Sequence, residues 1–132
     1  MVNRIRLFLG LEAAVFIAAA LIHFGVVMDG YNDQEAGIAE SVIAIVLLAG
    51  LLTSLLRPDS TRRAGILVQG FALVGTFVGL TLLITLGPRT LLDISIHVVM
   101  VALLVIGLIV TVGTPTTFQG MSHRVTDTSN RR

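Results

Sequence analysis

The sequence contains no cysteine, no tryptophan and no lysine, and it has only three prolines and one tyrosine. The lack of cysteine excludes disulfides, thiolate metal ligands and cysteine nucleophiles. The lack of tryptophan removes the residue that most often marks a membrane interface. Charged residues make up 13% of the chain, about half the share that is usual in soluble domains. With 55% hydrophobic residues, this composition argues against a water-soluble globule.

Four apolar stretches account for most of the 132 residues. Each has roughly 20 to 25 residues, which as a helix is long enough to cross a hydrocarbon core of about 30 Å. They predict helices at about 5–28, 35–56, 62–86 and 90–113, joined by short turns. Short connections favour antiparallel neighbours. The sequence therefore predicts an all-α integral membrane protein, a four-transmembrane-helix up-down-up-down bundle over residues 1–113, with a disordered tail over 114–132.

The basic residues predict how this bundle is oriented. All nine are arginines, and eight of them lie at the N-terminus, in the 57–63 loop or in the tail, the ninth being Arg89. Arginine near the end of a span stays on the cytoplasmic side during insertion. We therefore expect both termini and the tail to be cytoplasmic and the acidic 29–35 loop to lie outside. The composition is typical of a multi-pass protein of the bacterial inner membrane.

Four ionisable residues fall near the outer ends of the predicted spans: His23, Glu40, Asp93 and His97. Such groups cost several kcal/mol inside a membrane unless they are paired or hydrated, so each is a functional candidate. All four should lie within roughly 10 Å of the outer boundary. Asp93 and His97 also share one face of their helix because they are four residues apart. We call these four residues the His/carboxylate cluster.

Three interpretations of the His/carboxylate cluster remain open. Carboxylate–histidine hydrogen bonds could simply lock the helices together. Two imidazoles and two carboxylates are also a suitable ligand set for a divalent metal such as Zn, Fe or Mn, whereas a haem held by His23 and His97 is less favoured because aromatic residues are few. The third interpretation is a proton relay or a substrate pocket.

A second polar pair, Glu12 and Gln69, is predicted at matching depth in the inner half of the membrane. A direct hydrogen bond between them would need no further function. Alternatively, Glu12 and the His/carboxylate cluster could bracket a proton path. A glutamate in the first of four helices resembles the small multidrug resistance transporters, which would give Glu12 a coupling role. The strong arginine bias and the His/carboxylate cluster both depart from that family. The chain is also similar to the DoxX-like four-helix proteins, but in architecture alone, so no family is assigned.

Several function classes find no residues to support them. The sequence has no phosphate-binding loop, serine nucleophile elbow, HExxH helix or basic-aromatic stripe. We expect a protein that is not an enzyme, that binds no nucleic acid, and whose surroundings are the lipid bilayer and either a second copy or a membrane-complex partner. The predicted function is a structural or a ligand- or metal-binding module. The alternative is a proton-coupled small-molecule transporter that uses Glu12 and the histidines.

Overall fold

The structure, a computed structural model, describes residues 2–29, 32–86 and 90–115. These residues form four long helices, α1 (Val2–His23), α2 (Gln34–Leu56), α3 (Thr61–Leu86) and α4 (Leu91–Val112), with a 3₁₀ turn at Pro58–Ser60. All four helices are long and apolar enough to cross a membrane. The described part of the chain is therefore all-helical and has the character of a membrane protein. Most of the tail that was predicted to be disordered, 116–132, lies outside the described residues.

Large apolar side chains cover the outside of the helices as well as the inside. Leu7 is 69% exposed and Leu67 is 72% exposed, whereas Leu9, Leu47 and Leu104 are fully buried in the core. Soluble monomers rarely present a continuous apolar surface to water. Lipid tails, by contrast, are as apolar as leucine, so this surface suits a bilayer.

Helix α1 ends at His23 and not at Met28, where the apolar pattern predicted its end. Gly25 has a φ of 71°, a left-handed conformation that glycine adopts without steric cost. The N–H of Val26 then donates to the carbonyl of Leu21 at 3.0 Å. This hydrogen bond between residues five positions apart is the mark of a Schellman motif, which closes a helix. His23 is consequently the last helical residue of α1.

Capping hydrogen bonds fix the connection between α1 and α2 and the start of α4. The N–H of Asp33 donates to the carbonyl of His23 at 2.8 Å, which joins the start of α2 to the end of α1. The carboxylate of Asp33 accepts from the N–H of Ala36 at 3.1 Å, and the hydroxyl of Thr90 accepts from the N–H of Asp93 at 3.1 Å. Both are N-caps that satisfy otherwise unpaired helical N–H groups.

Hydrogen bonds between helices define two ends of the molecule. At one end, Nε of Arg6 in α1 donates to Oγ of Ser54 in α2 at 3.0 Å, and Nη2 of Arg62 in α3 donates to the carbonyl of Val112 in α4 at 3.0 Å. We call this the arginine end. The end of α1 and the first turns of α2 and α4 meet at the other end, which we call the histidine end.

Candidate functional site

At the histidine end, His23 lies between two carboxylates that belong to two other helices. Its Nδ1–H donates to Oε2 of Glu40 at 2.7 Å, and its Nε2 lies 3.4 Å from Oδ1 of Asp93. The three residues are all buried, with no more than 5% of each exposed. The structure thus brings three of the four members of the His/carboxylate cluster into one network, which links α1, α2 and α4.

The oxygens of the two carboxylates differ in their partners. In the described part of the chain, Oε1 of Glu40 is buried and accepts no hydrogen bond, whereas Oδ1 of Asp93 faces Nε2 of His23 at 3.4 Å. The other oxygen of Asp93, Oδ2, accepts from the hydroxyl of Thr90. A buried acceptor that is left without a partner costs about 1–3 kcal/mol. The network therefore leaves one buried acceptor, Oε1 of Glu40, without a hydrogen bond from a described residue.

His97 is placed differently from His23. Its Nδ1 lies 2.9 Å from the backbone carbonyl of Asp93, one turn earlier in α4. Since a carbonyl only accepts, Nδ1 carries the hydrogen, and Nε2 of the neutral ring is an acceptor. No described residue forms a hydrogen bond with Nε2, which faces the backbone of α3: a Cβ built on Gly79 would lie 3.6 Å from it. Nε2 of His97 is thus a second acceptor without a hydrogen bond from a described residue.

These residues line a cavity of about 430 Å³ at the histidine end. All four helices contribute to its wall, which combines apolar side chains, small residues of α2 and α3, and the polar groups just described. Its polar and ionisable lining residues are His23, Asp33, Glu35, Glu40, Thr76, Asp93 and His97, and its apolar ones include Phe16, Ile43, Leu82, Leu83 and Met100. The volume falls within the range of about 300–1,000 Å³ that is typical of small-molecule sites.

The metal interpretation finds no support in the part of the chain that the structure describes. It contains no group of three or more His, Cys, Asp or Glu side chains that could hold a metal ion. Both ring nitrogens of His23 contact carboxylates, and Nδ1 of His97 is bonded to its own helix. A site for Zn, Fe or Mn, or a haem between the two histidines, would need these contacts to break.

The inner polar pair forms a second cluster, closer to the arginine end. Nε2 of Gln69 donates to the carboxyl group of Glu12, at 2.9 Å from Oε1 and 3.1 Å from Oε2. The hydroxyl of Thr111 lies 2.8 Å from Oε1 of Gln69 and 2.8 Å from the carbonyl of Gly107. Glu12, Gln69 and Thr111 are all 0% exposed. This inner cluster therefore joins α1, α3 and α4 through hydrogen bonds alone.

Gly107 creates the space that the inner cluster occupies. A Cβ on Gly107 would overlap Oε1 of Glu12 and lie 2.6 Å from Nε2 of Gln69. Gly107 and Thr111 were not predicted to belong to a polar cluster. Their spacing of four residues on α4 was a usable signal, because it places a small residue and a hydroxyl on one helical face.

The chain matches no protein-family model, no curated protein and no solved structure. Its function is therefore inferred from the chemistry of the two clusters and the cavity.

Proposed function

We propose that this protein is a membrane-embedded binding protein whose small ligand occupies the cavity at the histidine end. The observation that carries the proposal is a cavity of about 430 Å³ whose wall combines the carboxylate residues Glu40 and Asp93 with apolar side chains. Ligand sites combine an apolar wall with a few convergent polar groups. A purely structural network would be expected to satisfy its own acceptors, and Oε1 of Glu40 accepts no hydrogen bond from a described residue.

The membrane setting that we propose is an up-down-up-down bundle in a bacterial inner membrane, with both termini in the cytoplasm. The distribution of arginine supports it, because Arg6, Arg57 and Arg62 all belong to the arginine end or its adjacent turn. The histidine end then faces outside, and the ligand enters from there or from the outer leaflet. The exposed apolar side chains leave room for a second copy or a membrane partner beside the lipid.

The proposal is tested by filling the cavity. Gly79→Leu adds a side chain on the cavity wall beside His97, and its backbone position tolerates a Cβ. Gly70→Leu is the matched control on the same helix, because a Cβ there has nothing within 4 Å. Each protein is purified into nanodiscs and its thermal unfolding is measured with a panel of cationic, uncharged and anionic amphiphiles.

We expect at least one compound to stabilise the wild type and Gly70→Leu but not Gly79→Leu. A panel in which no compound separates the two variants would contradict a ligand site in this cavity. If Gly79→Leu fails to fold, Ala39→Leu fills the same cavity from α2 and takes its place.

Proton-coupled transport that uses Glu12 remains the alternative prediction. Glu12 does not line the cavity; Phe16, one turn further along α1, does. Both oxygens of Glu12 lie within hydrogen-bond distance of Gln69. A transport role would need a water route past Phe16 to a carboxyl group that already has a partner.

A further inference from the structure

We infer that the ligand of this cavity is an organic cation, with an ammonium group attached to a small apolar body. The inference rests on the proposed function, since it names the chemical class that the same cavity would take. Three features of the wall favour this class: its charge, its unpaired hydrogen-bond acceptors and its apolar surface.

The charge of the wall is predominantly negative. Four carboxylates line the cavity, those of Asp33, Glu35, Glu40 and Asp93, against two histidines. None of the lining residues that the structure describes is arginine or lysine. The carboxylates therefore outnumber the imidazoles whether or not the rings are protonated. A cleft lined by one sign of charge concentrates ligands of the opposite sign.

The unused polar atoms of the wall are all acceptors. They are Oε1 of Glu40, which accepts no hydrogen bond from a described residue, and Nε2 of His97, whose Nδ1 is bonded to the carbonyl of Asp93. An alkylammonium group carries three donors and no acceptor, so it can satisfy atoms of this kind. A carboxylate or phosphate ligand would bring further acceptors and would also be repelled. Hydrogen bonds between ionised partners are in addition about twice as strong as neutral ones.

The rest of the wall suits a short hydrocarbon body. Phe16, Ile43, Leu82, Leu83 and Met100 line the cavity on α1, α2, α3 and α4. Apolar area removed from water contributes roughly 25 cal/mol per Å², so an alkyl chain or ring would add affinity that ammonium itself lacks.

The test compares three probes of equal length: hexylammonium, hexanol and hexanoate. Binding is measured by calorimetry to the full chain in nanodiscs of zwitterionic lipid, which avoids attraction of the cation to an anionic surface. We expect hexylammonium to bind at least about tenfold more tightly than hexanol, and hexanoate not to bind.

Glu40→Gln removes one buried charge but keeps an oxygen that can accept from His23. It should weaken hexylammonium binding by about tenfold or more and leave hexanol binding unchanged. Asp59→Asn is the matched control, because it removes one exposed carboxylate at the arginine end and should change neither value. Thermal unfolding of each variant verifies that it is folded.

The outcomes separate this inference from the proposed function. If hexanol or hexanoate binds as tightly as hexylammonium and Gly79→Leu abolishes that binding, the cavity is a ligand site but the cation inference is wrong. Hexylammonium binding that Glu40→Gln leaves intact would also overturn it. If no probe binds in a manner that depends on Gly79, both the inference and the proposed function fail.

Discussion

Single residues decide whether polar groups can be buried in this protein. Glu12 and Gln69 reach each other only because Gly107 on the facing helix has no side chain. The hydroxyl of Thr111 then lies within hydrogen-bond distance of the side-chain oxygen of Gln69. The inner cluster is thus built from a carboxyl group, an amide and a hydroxyl whose partners are all within hydrogen-bond distance, which is the condition for burying polar groups at low cost.

Gly107→Ala is expected to destabilise the protein by about 1–3 kcal/mol, because its methyl group would force the inner cluster apart. Gly70→Ala makes the same chemical change at an open helical position, and it should be neutral or stabilising by up to about 1 kcal/mol, since alanine is the better helix former. The measurement is the free energy of unfolding of each variant in detergent. Equal stabilities for the two variants would mean that the inner cluster can relax around a methyl group.

Depth and helical spacing are the residue properties that the sequence could supply. They indicate that His23, Glu40 and Asp93 lie at one height, and that Glu12 matches Gln69. They do not indicate that His23 bridges two carboxylates while His97 bonds to its own helix, because that depends on rotamers and helix rotation. The partner of each carboxylate oxygen follows from the same details, so the chemistry of the cavity could not be predicted.

The apolar stretches predict where each helix lies, and the end of α1 is the exception. Val26, Val27 and Met28 continue the apolar run of α1 and predict a longer helix. Gly25 ends it first, with a left-handed φ of 71°. A hydropathy pattern cannot distinguish an apolar helix from an apolar turn, whereas the backbone freedom of one glycine can. The result places His23 in the last turn, opposite Glu40.

Gly25→Ala is expected to cost about 1–2 kcal/mol, because a Cβ is unfavourable at this left-handed position. Gly10→Ala is the control within α1: a Cβ there would meet Leu51 at an ordinary 3.9 Å, and the substitution should not destabilise the helix. Thermal unfolding of both variants provides the comparison. A loss of stability in Gly10→Ala as large as that in Gly25→Ala would show that the effect does not come from the helix end.

For the molecule as a whole, composition was sufficient to predict the class. Scarce charge and four long apolar stretches indicate a membrane protein, and the described residues form four helices of the required length. Its sidedness in the membrane rests on the arginine distribution alone, because contacts between helices are the same whichever end faces the cytoplasm.

The absence of cysteine makes the orientation directly measurable. Asn32→Cys and Asp59→Cys each introduce a unique thiol at an exposed position, one near the histidine end and one at the arginine end. In intact cells, a membrane-impermeant maleimide should label Asn32→Cys, and it should label Asp59→Cys only after permeabilisation. The reverse pattern would place the histidine end in the cytoplasm and would contradict the proposed orientation.

Two of the buried contacts, His23–Glu40 and Glu12–Gln69, also differ in when they can form during synthesis. His23 and Glu40 are 17 positions apart, so α1 and α2 can pair their ionisable groups as soon as both have left the ribosome. The hydrogen bond between Glu12 and Gln69 needs α3, because Gln69 lies 57 positions later. The bond between Gln69 and Thr111 needs α4 as well. Until α3 is made, the carboxyl group of Glu12 lacks its partner Gln69. The order of the chain therefore allows the His23–Glu40 contact to form within the α1–α2 hairpin, whereas Glu12 is paired only once α3 is present.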